Sequence, residues 1–165
     1  MKRCQINLSW QKTLKFQPIE YQKGVWGQKS PIHLLICTFL LLSWGNDDTE
    51  QLIAILKEYN VPATFFVVGA WVDKYPESVK ALASAGHQIQ NHSNTHPHMP
   101  QLSRVQMQNE IASCNEKIKA ITGVEPTLLR PPYGDYDNAL IETMNALKMY
   151  TIQWDVETLA TKVIV

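Results

Sequence analysis

From residue 34 onward, short apolar runs of strand-like composition alternate with stretches whose apolar residues recur at helical spacing. That alternation restricts the fold most, because strands joined by helical crossovers pair in parallel and are covered by those helices. Residues 34–42, 63–68, 87–91, 127–129 and 150–154 read as strands, the second closed by Gly69. Between them, Asn46 or Asp47 can cap a helix through about Tyr59, with Leu52, Ile53 and Leu56 on its buried face. Pro76 opens another, striped by Val79, Leu82 and Ala83 and ended at Gly86. Ser103 with Gln106 three residues on resembles a capping box, starting a helix to about Ile121 that stops at Gly123. Residues 137–147 form the last predicted helix. The class is α/β with a largely parallel sheet, without internal repeats.

Composition excludes several functions. The chain has 165 residues, 45% hydrophobic and 18% charged, enough apolar matter for a sizeable core. Its 15 basic and 15 acidic residues cancel, but unevenly: residues 1–30 carry a net +5 and the remainder a net −5. Residues 1–33 therefore read as a basic, poorly ordered leader, and residues 34–165 as a separate, acidic domain. An acidic body lacks the concentrated Lys and Arg on which nucleic-acid affinity rests, so no nucleic-acid partner is expected. Cys4, Cys37 and Cys114 are odd in number and widely spaced, which supports neither a disulfide framework nor a zinc knuckle. The apolar run 33–42 is far short of the roughly 20 residues of a membrane-crossing helix, so no transmembrane span is expected. It also lacks a small-residue cleavage site, which favours a buried strand over a signal peptide.

Two segments could carry chemistry. His92, His96 and His98 fall within seven residues, just past a predicted strand end, where parallel α/β folds gather functional groups. Neutral imidazoles four residues apart can face one divalent ion in a helical turn or tight loop, and zinc takes such nitrogens readily. His98, following Pro97, reads as an orienting or incidental residue rather than a third ligand. The second segment, Arg130-Pro131-Pro132-Tyr133-Gly134, also follows a strand. Its prolines fix φ and remove donors, and Gly134 permits a tight turn. A loop so rigid can hold the Tyr133 N–H toward an oxyanion and aim Arg130 at a carboxylate.

Taken together, strand, His92-Ser93-Asn94-Thr95-His96, long helix and Arg130-Pro131-Pro132-Tyr133-Gly134 resemble the second and third motifs of the polysaccharide deacetylases, the NodB-homology carbohydrate esterases. Trp44-Gly45-Asn46, the 63–69 strand and the 86–92 segment are similar to that family too, especially its spore-former branch. The resemblance runs from about residue 44 to 158. It implies an incomplete, distorted (β/α) barrel and a hydrolase that removes acetyl groups from N-acetylated polysaccharides such as peptidoglycan or chitin. It also implies a divalent metal, usually zinc, held by His92 and His96, with Arg130, Tyr133 and Asp155 in the catalytic surroundings. A cell-envelope or extracellular location follows from such a substrate. The oligomeric state is not addressed by the sequence.

The sequence departs from the family pattern at two places. Aligned on Trp44-Gly45-Asn46, Leu41 stands where the family has its base aspartate and Leu42 where it has a metal-binding aspartate. Leucine cannot take a proton, so deacetylation by this chain is expected near background, and a noncatalytic glycan- or metal-binding remnant is the alternative. Asp47 and Asp48 are nearer to helix caps than to replacements. Past Asp155, Ala160 to Val165 shows neither the Asp-Trp pair nor the Leu-x-His motif that supplies the family's acid. A reading frame disrupted near residues 43 and 159 would leave such a pattern, an intact middle between unrelated flanks.

Overall fold

The computed structural model describes residues 38–42, 46 and 48–153, and of residues 38–42 the backbone alone. Five strands, β1 (Thr38–Leu42), β2 (Ala63–Val67), β3 (Gln88–Asn91), β4 (Leu128–Leu129) and β5 (Tyr150–Thr151), form one sheet in that order, every pair parallel. Helices fill the crossovers: α1 (Thr49–Glu58), α2 (Gly69–Lys74), α3 (Pro76–Ser84), α4 (Arg104–Thr122) and α5 (Asn138–Ala146). Strand order equal to chain order is what successive right-handed β-α units produce, and with it the α/β class read from the sequence holds. Among the described residues the sheet is open.

Apolar burial explains the elements. Phe65, Phe66 and Val67 are fully buried on consecutive positions of β2, which suits a strand covered on both faces. One cluster gathers Phe65, Val67, Trp71, Val72, Val79, Leu82 and Ile89 beneath α2 and α3; another gathers Met99, Leu129, Leu140 and Met144 near α5. Helix α4 serves both, giving Cys114 and Ile118 to the first and Met107 and Ile111 to the second. Its ends are as predicted: Ser103 and Gln106 make a reciprocal capping box, and Gly123 ends it with φ 72°.

Three expectations are corrected. Asn46 does not cap α1; its side chain donates to Ser78 Oγ at 3.2 Å, while Asp48 occupies the N-cap position without a side-chain cap bond, and Asp47 lies outside the described residues. Gly69 does not close a strand but opens α2, a helix the sequence reading lacked. The last strand spans only Tyr150–Thr151, with Trp154 and Asp155 outside the described residues. Between β3 and β4 the register holds a single pair, Asn91 with Leu129. There the buried Gln90 side chain substitutes for a ladder, its Oε1 accepting from the N–H groups of Thr127 and Leu128, both at 3.0 Å.

Candidate active site

The histidine segment leaves β3 at Asn91, and its path is set by side chains rather than by a regular element. Asn91 is fully buried and meets three partners: its Oδ1 accepts from Ser93 N at 2.6 Å, and its amide donates to the Ile111 carbonyl (2.9 Å) and Asn115 Oδ1 (2.6 Å) on α4. Ser93 in turn accepts the His96 N–H on Oγ at 3.0 Å. Both Ser93 (φ 66°) and His96 (φ 63°) are left-handed. For residues bearing a Cβ that conformation costs about 1 to 2 kcal/mol each, so it persists only where surrounding bonds dictate it.

Further bonds dictate it here. Glu110 on α4 accepts from the Asn94 and Thr95 N–H groups on Oε2 (2.9 and 2.8 Å) and from the Thr95 hydroxyl on Oε1 (2.8 Å). From the other side, the N–H groups of Gly69 and Ala70 at the start of α2 donate to the carbonyls of Ser93 and Asn94 at 3.0 and 2.9 Å. Unfilled first-turn donors of a helix thereby find acceptors in the loop. The approach is so close that a Cβ on residue 69 would sit 2.3 Å from Asn94 Oδ1, hence glycine.

This scaffold presents two imidazoles whose ring centroids are 4.9 Å apart at 70°. His92 is 2% exposed, and its Nδ1 lies 2.6 Å from the Arg130 carbonyl oxygen. A carbonyl only accepts, so Nδ1 carries the hydrogen and Nε2 presents the lone pair. Burial lowers the His92 pKa to about 4 against the opposing hydrogen bond to the Arg130 carbonyl, the charges of His96 and Arg130 adding smaller pushes downward; burial likewise lowers that of half-buried His96. Both rings are therefore neutral near pH 7. Arg130 contributes through its main chain: its N–H donates to the Asn91 carbonyl at 3.0 Å, which fixes the carbonyl that orients His92.

Tyr133 stands 56% exposed above the histidines with φ 58° and ψ 1°. Its ring meets His96 edge-on at 4.7 Å and stacks on His98 at 3.9 Å and 12°. His98, read from the sequence as orienting or incidental, is thus engaged with Tyr133, and its Nδ1 lies 2.6 Å from Asp135 Oδ2.

The structure therefore brings His92, His96, Arg130 and Tyr133 together, while Asp155 lies outside the described residues. The register sets Leu42 in one row with Val67, Asn91 and Leu129, and Leu41 beside Phe66, so the two positions at which the resemblance leads one to expect aspartates lie in the rows at the end of β3, which His92 follows. Two neutral imidazoles, one with its tautomer fixed by an outer hydrogen bond, are a donor set suited to zinc. Among the described residues no group of three or more His, Cys, Asp or Glu is arranged to share an ion. Sequence reasoning missed Asn91, Glu110 and Asp135. Glu110 acts on residues 15 and 16 positions away, and Asn91, besides its local bond to Ser93, reaches Ile111 and Asn115 at 20 and 24 positions, so no local pattern marks the role of either in bracing the segment against α4.

The sequence matches the family model "Polysaccharide deacetylase" over residues 32–152. The chain belongs to the polysaccharide deacetylase family. It is 33% identical over 143 residues to the uncharacterized protein YlxY of Bacillus subtilis, covering 87% of this chain and 43% of that protein. It is 32% identical over 114 residues to a peptidoglycan-N-acetylglucosamine deacetylase of Bacillus cereus, covering 69% of this chain and 42% of that one. Among solved structures, a carbohydrate esterase family 4 pseudoenzyme from Bacillus anthracis superposes with a TM-score of 0.69 at 30% identity, over 72% of this chain and 42% of that one. A mutant of that pseudoenzyme with restored enzymatic activity matches with a TM-score of 0.67 at 32% identity, over 71% of this chain and 44% of that one. The chain thus spans less than half the length of these relatives.

The matched stretch also moves the borders of the deacetylase pattern. It begins at residue 32 instead of about 44 and ends at 152 instead of about 158, and so takes in β1.

Proposed function

We propose that this chain carries the metal-holding portion of a polysaccharide de-N-acetylase, with His92 and His96 as zinc ligands and an N-acetylated glycan of the peptidoglycan class as substrate. The observation that carries the reading is the Nδ1–H bond from His92 to the Arg130 carbonyl, because it leaves Nε2 as the only lone pair on a ring too buried to protonate near neutrality. A bound divalent ion supplies Lewis-acid polarisation of an acetyl carbonyl and a more acidic water. His92 and His96 hold it, Arg130 aims His92, and Tyr133 lends its backbone N–H to the developing oxyanion. Such a substrate implies work in the cell envelope.

The test is zinc content after dialysis, by atomic emission. One equivalent is expected for the wild type and none for His92→Ala or His96→Ala; unchanged metal in both variants would refute the ligand assignment. A second reading, a glycan- or metal-binding member without turnover, is favoured by Leu41 at the aligned position of the base. General-base catalysis contributes roughly 10²- to 10⁴-fold, so acetate release from chito-oligosaccharides should lie near background. Robust release would mean that another group takes the proton.

A further inference from the structure

We propose that His98 and Asp135 are positioning residues that hold Tyr133 in its left-handed conformation and thereby fix where its backbone N–H points. The inference rests on the reading of Tyr133 as a residue of the deacetylase site. Tyr133 adopts φ 58° and ψ 1°, which a tyrosine does not take up unaided. Burial does not impose it, since the residue is 56% exposed. Two overlapping turn bonds span it, from Gly134 N to the Pro131 carbonyl (3.2 Å) and from Asp135 N to the Pro132 carbonyl (3.1 Å). Beyond the turn, the Tyr133 ring lies flat on His98 at 3.9 Å, and His98 is tied by Nδ1 to Asp135 Oδ2 at 2.6 Å.

The three residues form a closed loop of contacts. Asp135 lies two positions after Tyr133, and His98 comes from the histidine segment 35 residues before Tyr133. The stack sets the direction of the ring and the carboxylate sets the direction of the imidazole, so the proline loop is locked against the segment that bears His92 and His96. A ring turned the other way would break the stack and leave His98 held by Asp135 alone.

The experiment is backbone ¹⁵N relaxation on the full chain, with and without zinc, for the wild type, His98→Ala, Asp135→Asn, the double variant and His98→Phe. The wild-type Tyr133 order parameter should lie near the rigid value of about 0.85 and fall below about 0.6 in both single variants, while α4 stays rigid. The double variant should be no looser than either single one, and His98→Phe, which keeps a ring for the stack but has no nitrogen for Asp135, should be as loose as Asp135→Asn. A Tyr133 that stays rigid in His98→Ala and Asp135→Asn, or is already loose in the wild type, overturns the proposal. Absent zinc in the wild type would instead sink the ligand assignment and leave the relaxation result standing.

Discussion

Gly69 and His92 show how single residues set this site. The lone pair of His92 is aimed by a carbonyl 38 positions away, and the loop that delivers His96 packs on a glycine because nothing larger fits. Gly69→Ala would place a methyl group 2.3 Å from Asn94 Oδ1, forcing that side chain off Lys117 Nζ, to which it is bonded at 2.7 Å. Overpacking of this kind costs about 1 to 3 kcal/mol, so urea unfolding should show a loss in that range, partly recovered by Asn94→Ser. No change in midpoint would mean that the loop accommodates the methyl freely. The site residues were legible because their chemistry is local: two histidines four apart and an arginine before two prolines announce themselves in any window. Gly69 was misread for the same reason, since a glycine after an apolar run signals a strand end when the helix it opens is only six residues long.

At the scale of elements, α4 supports the histidine segment as much as the core. Its Glu110 binds two N–H groups and a hydroxyl of residues 94 and 95, while its Ile111 carbonyl and Asn115 hold the Asn91 side chain. Glu110→Ala leaves two loop donors without that carboxylate. Hydrogen bonds to charged groups contribute about 1.5 to 3 kcal/mol, so the loop should open more readily and zinc affinity should fall at least about tenfold, read by competition with a chelator. Affinity within a factor of two of the wild type would show that Asn91 and α2 suffice. The far end of α4 gives a contrast: Ser103→Ala removes half of a capping box and should lower stability by about 1 kcal/mol without altering zinc affinity. Both ends of α4 were legible because capping box and terminal glycine are sequence-local. Its inner face was not, because nothing in the periodicity distinguishes a glutamate that braces a loop from one that faces solvent.

For the whole molecule, parallel order followed from the alternation of strand and helix, whereas the length of β4 did not, because the Gln90 side chain takes the place of ladder bonds by accepting from Thr127 and Leu128. The same burial that built this sheet makes the fold sensitive to acid. In the chelated protein His92 is neutral down to about pH 4 while an unfolded chain protonates it near 6.5, so between those values the unfolded state binds more protons. Stability therefore rises with pH across that window and is lost as pH falls from about 6.5 toward 4, with no further change from this residue below. The gap corresponds to on the order of 3 kcal/mol as an upper bound, and His96, lowered by burial as well, acts in the same direction. Carboxylates titrate over part of this range, so the informative quantity is the difference between wild type and His92→Asn. An asparagine can still donate to the Arg130 carbonyl but has no proton to gain. Urea unfolding free energies of the two chelated proteins should converge as the pH is lowered from 7 to 4. Curves that run parallel throughout would mean that His92 is as easily protonated in the fold as in the unfolded chain, and that its burial does not hold it neutral.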